Sequence, residues 1–188
     1  MMRLKTIALA TVTLLLQLSC ADIAATSGGQ SLGGMTAFTG GKFEASGVTY
    51  VPRTDGVLFV DNGRPGEIFW MRLDRHLKQA GDIKAVKLGV DVSDPEGITT
   101  DGSYFYAVGS QSKPKSVDQP GLVRFRFDAE RQIAEGVESI TGLRTFLVEN
   151  VAELRDVGSV KGKDGGVSVE GLAWDPAARG CCWGCARP

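Results

Sequence analysis

Short apolar runs separated by turn residues set the rhythm of the chain. Val57-Leu58-Phe59-Val60 follows the turn pair Asp55-Gly56, and Tyr104-Phe105-Tyr106-Ala107-Val108 follows Asp101-Gly102. Runs of this length, bounded by Asp, Asn and Gly, predict β-strands. Each is preceded by a weaker strand that begins on an acidic residue and a glycine. These are Glu44-Ala45-Ser46-Gly47-Val48-Thr49-Tyr50 and Glu96-Gly97-Ile98-Thr99-Thr100, with Glu170-Gly171-Leu172-Ala173-Trp174 opening a third unit before Asp175-Pro176. Third strands alternate, in Ile68–Leu73 and Leu122–Phe127, and the polar stretches Lys84–Leu88 and Arg131–Glu135 suit outer fourth strands. Four short antiparallel strands per repeating unit is the signature of β-propeller blades. The expected fold is all-β: a β-propeller fragment of about two blades plus the start of a third, over residues 43–176.

One segment breaks this rhythm. Leu143, Phe146, Leu147, Val151 and Leu154 recur at helical spacing, with Arg144, Glu149, Glu153 and Arg155 largely opposite. An amphipathic helix over about 143–156 is expected, inserted between blades and packed on them. Lys161-Gly162-Lys163-Asp164-Gly165-Gly166 is the loop after it.

Composition narrows the function classes. The 188 residues carry 21 basic and 22 acidic side chains, a net charge of −1, and are 43% hydrophobic. That is ordinary globular composition, and the balanced charge gives no footprint for nucleic acid. The single histidine, His76, sits in the charged stretch Asp74–Lys78 and reads as a surface residue. Ser46, Ser110 and Ser112 have no partner base in sequence, and no phosphate-binding loop or dinucleotide fingerprint is present.

Residues 1–21 read as an export signal: Arg3 and Lys5, then the apolar core Ile7–Leu16, then small residues. The core is short for a membrane span. Ser19-Cys20-Ala21 suits ordinary signal peptidase, whereas Leu18-Ser19-Cys20 resembles a lipobox in which Cys20 would carry lipid, with Gln17 where an aliphatic residue is usual. The chain is expected to be exported to the periplasm or beyond, touching membrane only through this signal or lipid. Residues 22–42 read as a flexible linker.

The C-terminus reads differently from the rest. Cys181, Cys182 and Cys185 crowd into the last eight residues. A shared soft metal is one reading of such thiols. The genetic code offers another. Every Cys codon ends in C or T, so in the next frame each Cys followed by Cys or Trp becomes leucine, and Trp followed by Gly becomes glycine. With common codons the segment then reads Leu-Leu-Leu-Gly-Leu-Arg-Ala-Pro, a strand that continues the third unit. Residues 177–188 are therefore expected to be a frameshifted tail. Removing a signal of about 21 residues and the helix leaves room for roughly three blades of about 40–45 residues, where closed propellers have about four to eight. A truncated chain would leave an open sheet edge prone to aggregation.

The candidate chemistry is carboxylate chemistry. Glu44, Glu96 and Glu170 open equivalent first strands, whose ends converge at one channel mouth in a propeller. Asp61-Asn62-Gly63 adds oxygen donors at a strand end, and Asp94 neighbours Glu96. Glu44, Asp61, Glu96 and Glu170 form the candidate metal set, suited to a hard cation such as Ca²⁺. The alternative is structural: a repeated Glu-Gly also serves close strand packing, and Asn62-Gly63 is a turn signal. The loop Gly109-Ser110-Gln111-Ser112-Lys113-Pro114-Lys115 could meet a small anionic ligand.

Glu44–Tyr50, Asp94-Pro95-Glu96-Gly97-Ile98-Thr99, Gly109–Ser112 and Val169-Glu170-Gly171-Leu172-Ala173 together resemble an uncharacterised bacterial β-propeller family, with a domain of unknown function, related to phytase-like and esterase-like propellers. The resemblance covers about residues 43–176. Members typically carry Gly-Ser-His-Ser where this chain has Gln111, and continue from Glu-Gly-Leu-Ala into Leu-Leu-Leu-Gly-Leu-Arg. It implies a propeller, with metal support as an expectation, and carries no established reaction. Two functions follow: metal-assisted phosphoester or ester hydrolysis at the channel mouth, or non-catalytic binding of a ligand or envelope protein.

Overall fold

The computed structural model describes residues 38–114 and 119–186, without the side chains of 185 and 186. The signal segment with Cys20 and most of the 22–42 linker lie outside the described residues. Among the described residues, ten strands form three antiparallel sheets. Strands β1 (Ala45–Tyr50), β2 (Gly56–Asp61), β3 (Glu67–Arg72) and β4 (Lys84–Lys87) pair in chain order. So do β5 (Pro95–Thr100), β6 (Phe105–Gly109), β7 (Leu122–Asp128) and β8 (Ile133–Ile140), while β9 (Ser168–Asp175) and β10 (Gly180–Ala186) form a two-stranded sheet. Among the described residues the chain is all-β with one α-helix; the expected strands overlap β1 to β9, but the one expected at Arg131–Glu135 lies later, in β8, and β10 forms where a frameshifted tail was expected.

Tight turns keep neighbouring strands adjacent. Asp101 Oδ1 accepts the Ser103 and Tyr104 N–H groups at 2.7 Å each, and Asp128 Oδ1 accepts those of Glu130 and Arg131 at 2.9 Å. These aspartates satisfy backbone donors that a reversing chain would otherwise leave open.

The period-two alternation then builds the core. One face of the first sheet gives Leu58, Val60, Ile68 and Trp70, which bury against Ile98, Phe105, Ala107, Val123 and Phe125 of the second. A second cluster joins Val108 and Leu122 to Val169 and the helix residues Leu143 and Leu147. The opposite face of the first sheet carries Phe59, Phe69 and Met71, with Phe43 packed edge-on to both rings at 5.3 and 5.1 Å. Phe38 stacks on Phe59 at 6.2 Å, and Gln79 Nε2 donates to Thr39 O and Oγ1 at 2.9 Å. The end of the expected linker, residues 38–42, is thus docked, because its aromatic ring completes an apolar cluster.

Glycines let the first strand of each sheet approach the next. A Cβ on Gly47 would sit 2.8 Å from Gly97 Cα, and one on Gly97 would sit 2.7 Å from Leu172 N. Strands β1, β5 and β9 therefore stack in sequence at backbone contact, closer than any side chain would allow.

The helix departs from its expected length. α1 spans Leu143–Asn150, ends at the extended Val151, and is followed by a 3-10 turn at Ala152–Leu154. Its buried face also differs, since Phe146 is 59% exposed while Arg144 is 2% exposed. The guanidinium of Arg144 donates to the carbonyls of Gln111, Val167 (3.0 Å), Gly158 (2.9 Å) and Val160 (2.7 Å). That network turns the helix so that a charge, not the Phe146 ring, faces inward.

The cysteine-rich segment forms β10, with Cys182 opposite Ala173 and Trp183 opposite Leu172. Trp183 faces the second core cluster. Adjacent strand residues point to opposite sides, so Cys181 and Cys182, both free thiols, do not converge on a common ligand.

Candidate functional site

Each first strand carries one extra residue just before its glycine. Ala45 pairs with Asp61 and Gly47 with Val60; Pro95 pairs with Gly109 and Gly97 with Val108; Val169 pairs with Cys185 and Gly171 with Gly184. The unpaired bulge residues are therefore Ser46, Glu96 and Glu170. Bulges re-aim side chains at the ends of sheets, and here they do so at equivalent points.

This register corrects the expected set. Glu44 is not the counterpart of Glu96; it corresponds to Asp94, since Glu44 O accepts the Asn62 N–H at 3.2 Å as Asp94 O accepts the Ser110 N–H at 2.9 Å. Matching acidic residue to acidic residue misaligned the first repeat, whereas the close-packed glycine fixes the register. Asp61 is buried, but its carboxylate is already engaged: Oδ2 accepts the Glu44 N–H at 2.9 Å and Oδ1 the Gly63 N–H at 2.8 Å. It holds the β2 end in shape. Among the described residues no three His, Cys, Asp or Glu side chains converge as a metal ligand set. Of the four candidate ligands, Glu44 is exposed and Asp61 already accepts two backbone N–H groups, while Glu96 and Glu170 are close enough to interact.

What the structure does bring together is Asp94, Glu96 and Glu170. Burial, then the charges of Asp94 and Glu170, push the Glu96 carboxyl up to about 7, against the opposing effect of the Asn62 side chain. Asn62 Oδ1 is itself buried without a partner among the described residues. Glu170 Oε1 accepts the Ser168 hydroxyl at 2.5 Å. Asp94 and Glu170 line a cleft of about 690 Å³ together with Ser112, Lys113, Lys161, Gly162, Lys163 and Ser168. A second cavity of about 410 Å³ shares Asp94 and adds Asp91, Ser93 and Gln119.

The loops that bring the lysines are tied to the sheets. Gly162 N donates to Ser112 O at 2.8 Å, and Val169 N to Ser110 O at 2.7 Å. Asp94 and Gln111 both take left-handed backbone conformations, φ 54° and 55°, beside this cleft. Such strain in non-glycine residues clusters at functional sites. Gln111 is buried, and its side-chain Nε2 makes only long contacts, to Gly109 O (3.4 Å) and Gly121 O (3.5 Å).

No family model matches the chain, and no curated protein matches it. Among solved structures, the hydrazine synthase of Kuenenia stuttgartiensis is similar at 13% identity and a TM-score of 0.38, covering 80% of this chain and 32% of that one. The chain thus spans about a third of that structure's length.

Sequence reasoning missed Lys161 and Lys163 as site residues. The signal was a basic pair in a loop directly before a first strand, matching the basic loop with Lys113. His76 lies in an exposed turn, where its ring Nε2 accepts from Arg75 Nε at 3.0 Å, away from the cleft.

The raised Glu96 carboxyl has a consequence for stability. Its folded pKa, about 7, exceeds the ordinary 4.5, so between these values the unfolded chain binds fewer protons and stability falls as pH rises. Glu96→Gln removes that penalty. The full shift corresponds to about 3 kcal/mol, which solvent screening at a half-buried group reduces to roughly 1–2 kcal/mol. Thermal melts should show the variant more stable than wild type at pH 8 by about 3–6 °C and unchanged at pH 4. Equal effects at both values would mean that Glu96 titrates normally.

Proposed function

We propose that the chain is a set of β-propeller blades of the uncharacterised phytase-like type, exported, and that it hydrolyses a small phosphoester or ester at the mouth of its first strands. The observation that carries this reading is the pairing of a proton-holding carboxyl with cations. Glu96, with a pKa raised to about 7, is near enough to Asp94 and Glu170 to feel their charges, and those two carboxylates line a cleft with Lys113, Lys161 and Lys163. A carboxyl whose pKa matches the working pH can both hold and release a proton, which is the requirement for general acid–base catalysis.

In this mechanism the lysines attract and hold the anionic group. Glu96, protonated, gives its proton to the leaving oxygen as the ester bond breaks. Glu170 takes a proton from the attacking water, so the pair ends with its total proton count unchanged. Four stacked or consecutive features support the blade reading: two four-stranded meanders, a third begun in the same way, stacked first strands, and equivalent bulges.

The test is turnover of 4-nitrophenyl phosphate and 4-nitrophenyl acetate across pH. Wild type should lose activity above the Glu96 pKa, and Glu96→Gln should lose at least about 100-fold in kcat, in line with removal of a general acid. The double variant Lys161→Ala/Lys163→Ala should raise KM with a smaller effect on kcat. Anion binding without turnover would favour the second reading, a non-catalytic ligand-binding propeller of the cell envelope. Activity that appears only with added Ca²⁺ would replace the proton-based mechanism by a metal-assisted one. Neither binding nor turnover would remove the site from consideration.

A further inference from the structure

The stacking of first strands follows one rule, and the two ends of the stack carry its unused halves. In β5, Gly97 faces the third sheet and leaves room for the Leu172 backbone, whereas Ile98 faces the first sheet and is buried in their shared core. In β9, Leu172 and Trp174 face the second sheet: Leu172 packs in the second cluster, Trp174 stacks on Tyr106 at 5.7 Å, and Trp174 N donates to Thr99 Oγ1 at 3.1 Å. In β1, Gly47 faces the second sheet at backbone contact. Every internal junction therefore sets large residues of one first strand against the glycine of the strand before it.

At the two ends, among the described residues, the same positions are open. Val48 and Tyr50, the counterparts of Ile98 and Thr100 in β5 and of Leu172 and Trp174 in β9, are 64% and 52% exposed. At the other end a Cβ on Gly171 would meet nothing within 4 Å, although Gly47 and Gly97 are both filled. The surface around Gly171 is small-featured, since the residues that face outward with it in β9 and β10 are Ala173, Cys182 and Gly184. One end thus offers protruding apolar side chains, and the other a flat recess lined by small ones.

We propose that a second copy of this chain docks head to tail, with its Val48 and Tyr50 seated against the Gly171 face. The contact reproduces the junctions already made twice within the chain, and its two halves come from different surfaces, so it is heterologous. It rests on sheet packing and is independent of the proposed reaction.

The experiment is sedimentation velocity on the full chain from low to high micromolar concentration. Wild type should associate as concentration rises. Val48→Glu spoils the protruding end and Gly171→Leu fills the recess. Each should remain a monomer while keeping the wild-type melting profile, because Val48 is already exposed and the space beside Gly171 is open. Mixing the two variants should restore a one-to-one dimer, since each retains the end that the other has lost. Association that both variants leave intact, a mixture that stays monomeric, or a wild type that is monomeric throughout would each overturn the proposal.

Discussion

Replacing Arg144 with methionine is expected to destabilise the fold by about 3–5 kcal/mol, the scale seen when one partner of a buried charged network is removed. The side chain is 2% exposed and has no carboxylate partner among the described ion pairs, so its charge is balanced by carbonyl dipoles alone. Its four carbonyl partners come from the loop after β6, from residues 158 and 160 after the helix, and from Val167 at the entry to β9. One guanidinium thus ties three segments that share no continuous ladder. Methionine fills much of the volume but leaves those carbonyls buried and open, each at a cost of about 1–3 kcal/mol unless water enters. Lysine should rescue little, because its compact ammonium cannot span a planar fan of acceptors. Thermal melts should fall by about 10 °C, with faster amide exchange over residues 158–167. A fall of less than about 2 °C would mean that the network adds nothing that water cannot supply. The cleft should suffer as well, since Lys161 and Lys163 ride on the tied loop.

Gly97→Ala should cost about 3 kcal/mol or more, an unusual penalty for one methyl group. The added carbon would sit 2.7 Å from Leu172 N and 2.9 Å from Leu172 Cβ. These atoms belong to a paired strand, so relief requires the second and third sheets to move apart and loosen the Val108–Val169 cluster. Gly171→Ala, the same substitution one sheet on, should change stability by no more than about 0.5 kcal/mol, because its Cβ enters open space. Chemical denaturation of both variants measures the difference directly. Equal effects at the two glycines would show that the sheets relax around the Gly97 methyl group without penalty.

Most strand positions were legible in the sequence because the strands are short, many are apolar on one face, and turns such as Asp55-Gly56, Asn62-Gly63 and Asp101-Gly102 bound several of them. Ile68–Leu73 and Leu122–Phe127 alternate visibly, and β3 and β7 lie on them. The helix was legible as a helix but not in its orientation, since periodicity counts Arg144 as polar and cannot know that four carbonyls await it.

The site was legible in part. Glu96 and Glu170 stand out as Glu-Gly pairs, and the structure gives them equivalent bulges. Glu44 and Asp61 looked equally acidic, but acidity does not reveal that Glu44 is two residues out of register or that Asp61 is occupied by the N–H groups of Glu44 and Gly63. The cationic wall was missed because Lys113 and Lys161–Lys163 lie about 50 residues apart and meet only where two loops are hydrogen-bonded together.

The sequence by itself determined the all-β class, the approximate positions of most strands, the turn aspartates and the repeated glycine, because these depend on local periodicity and backbone chemistry within a few residues. Tertiary structure alone decided the register of the repeats, the inward turn of Arg144 and the neighbours that raise the Glu96 pKa. Those depend on which backbones come within van der Waals contact across sheets, and no local pattern encodes that distance.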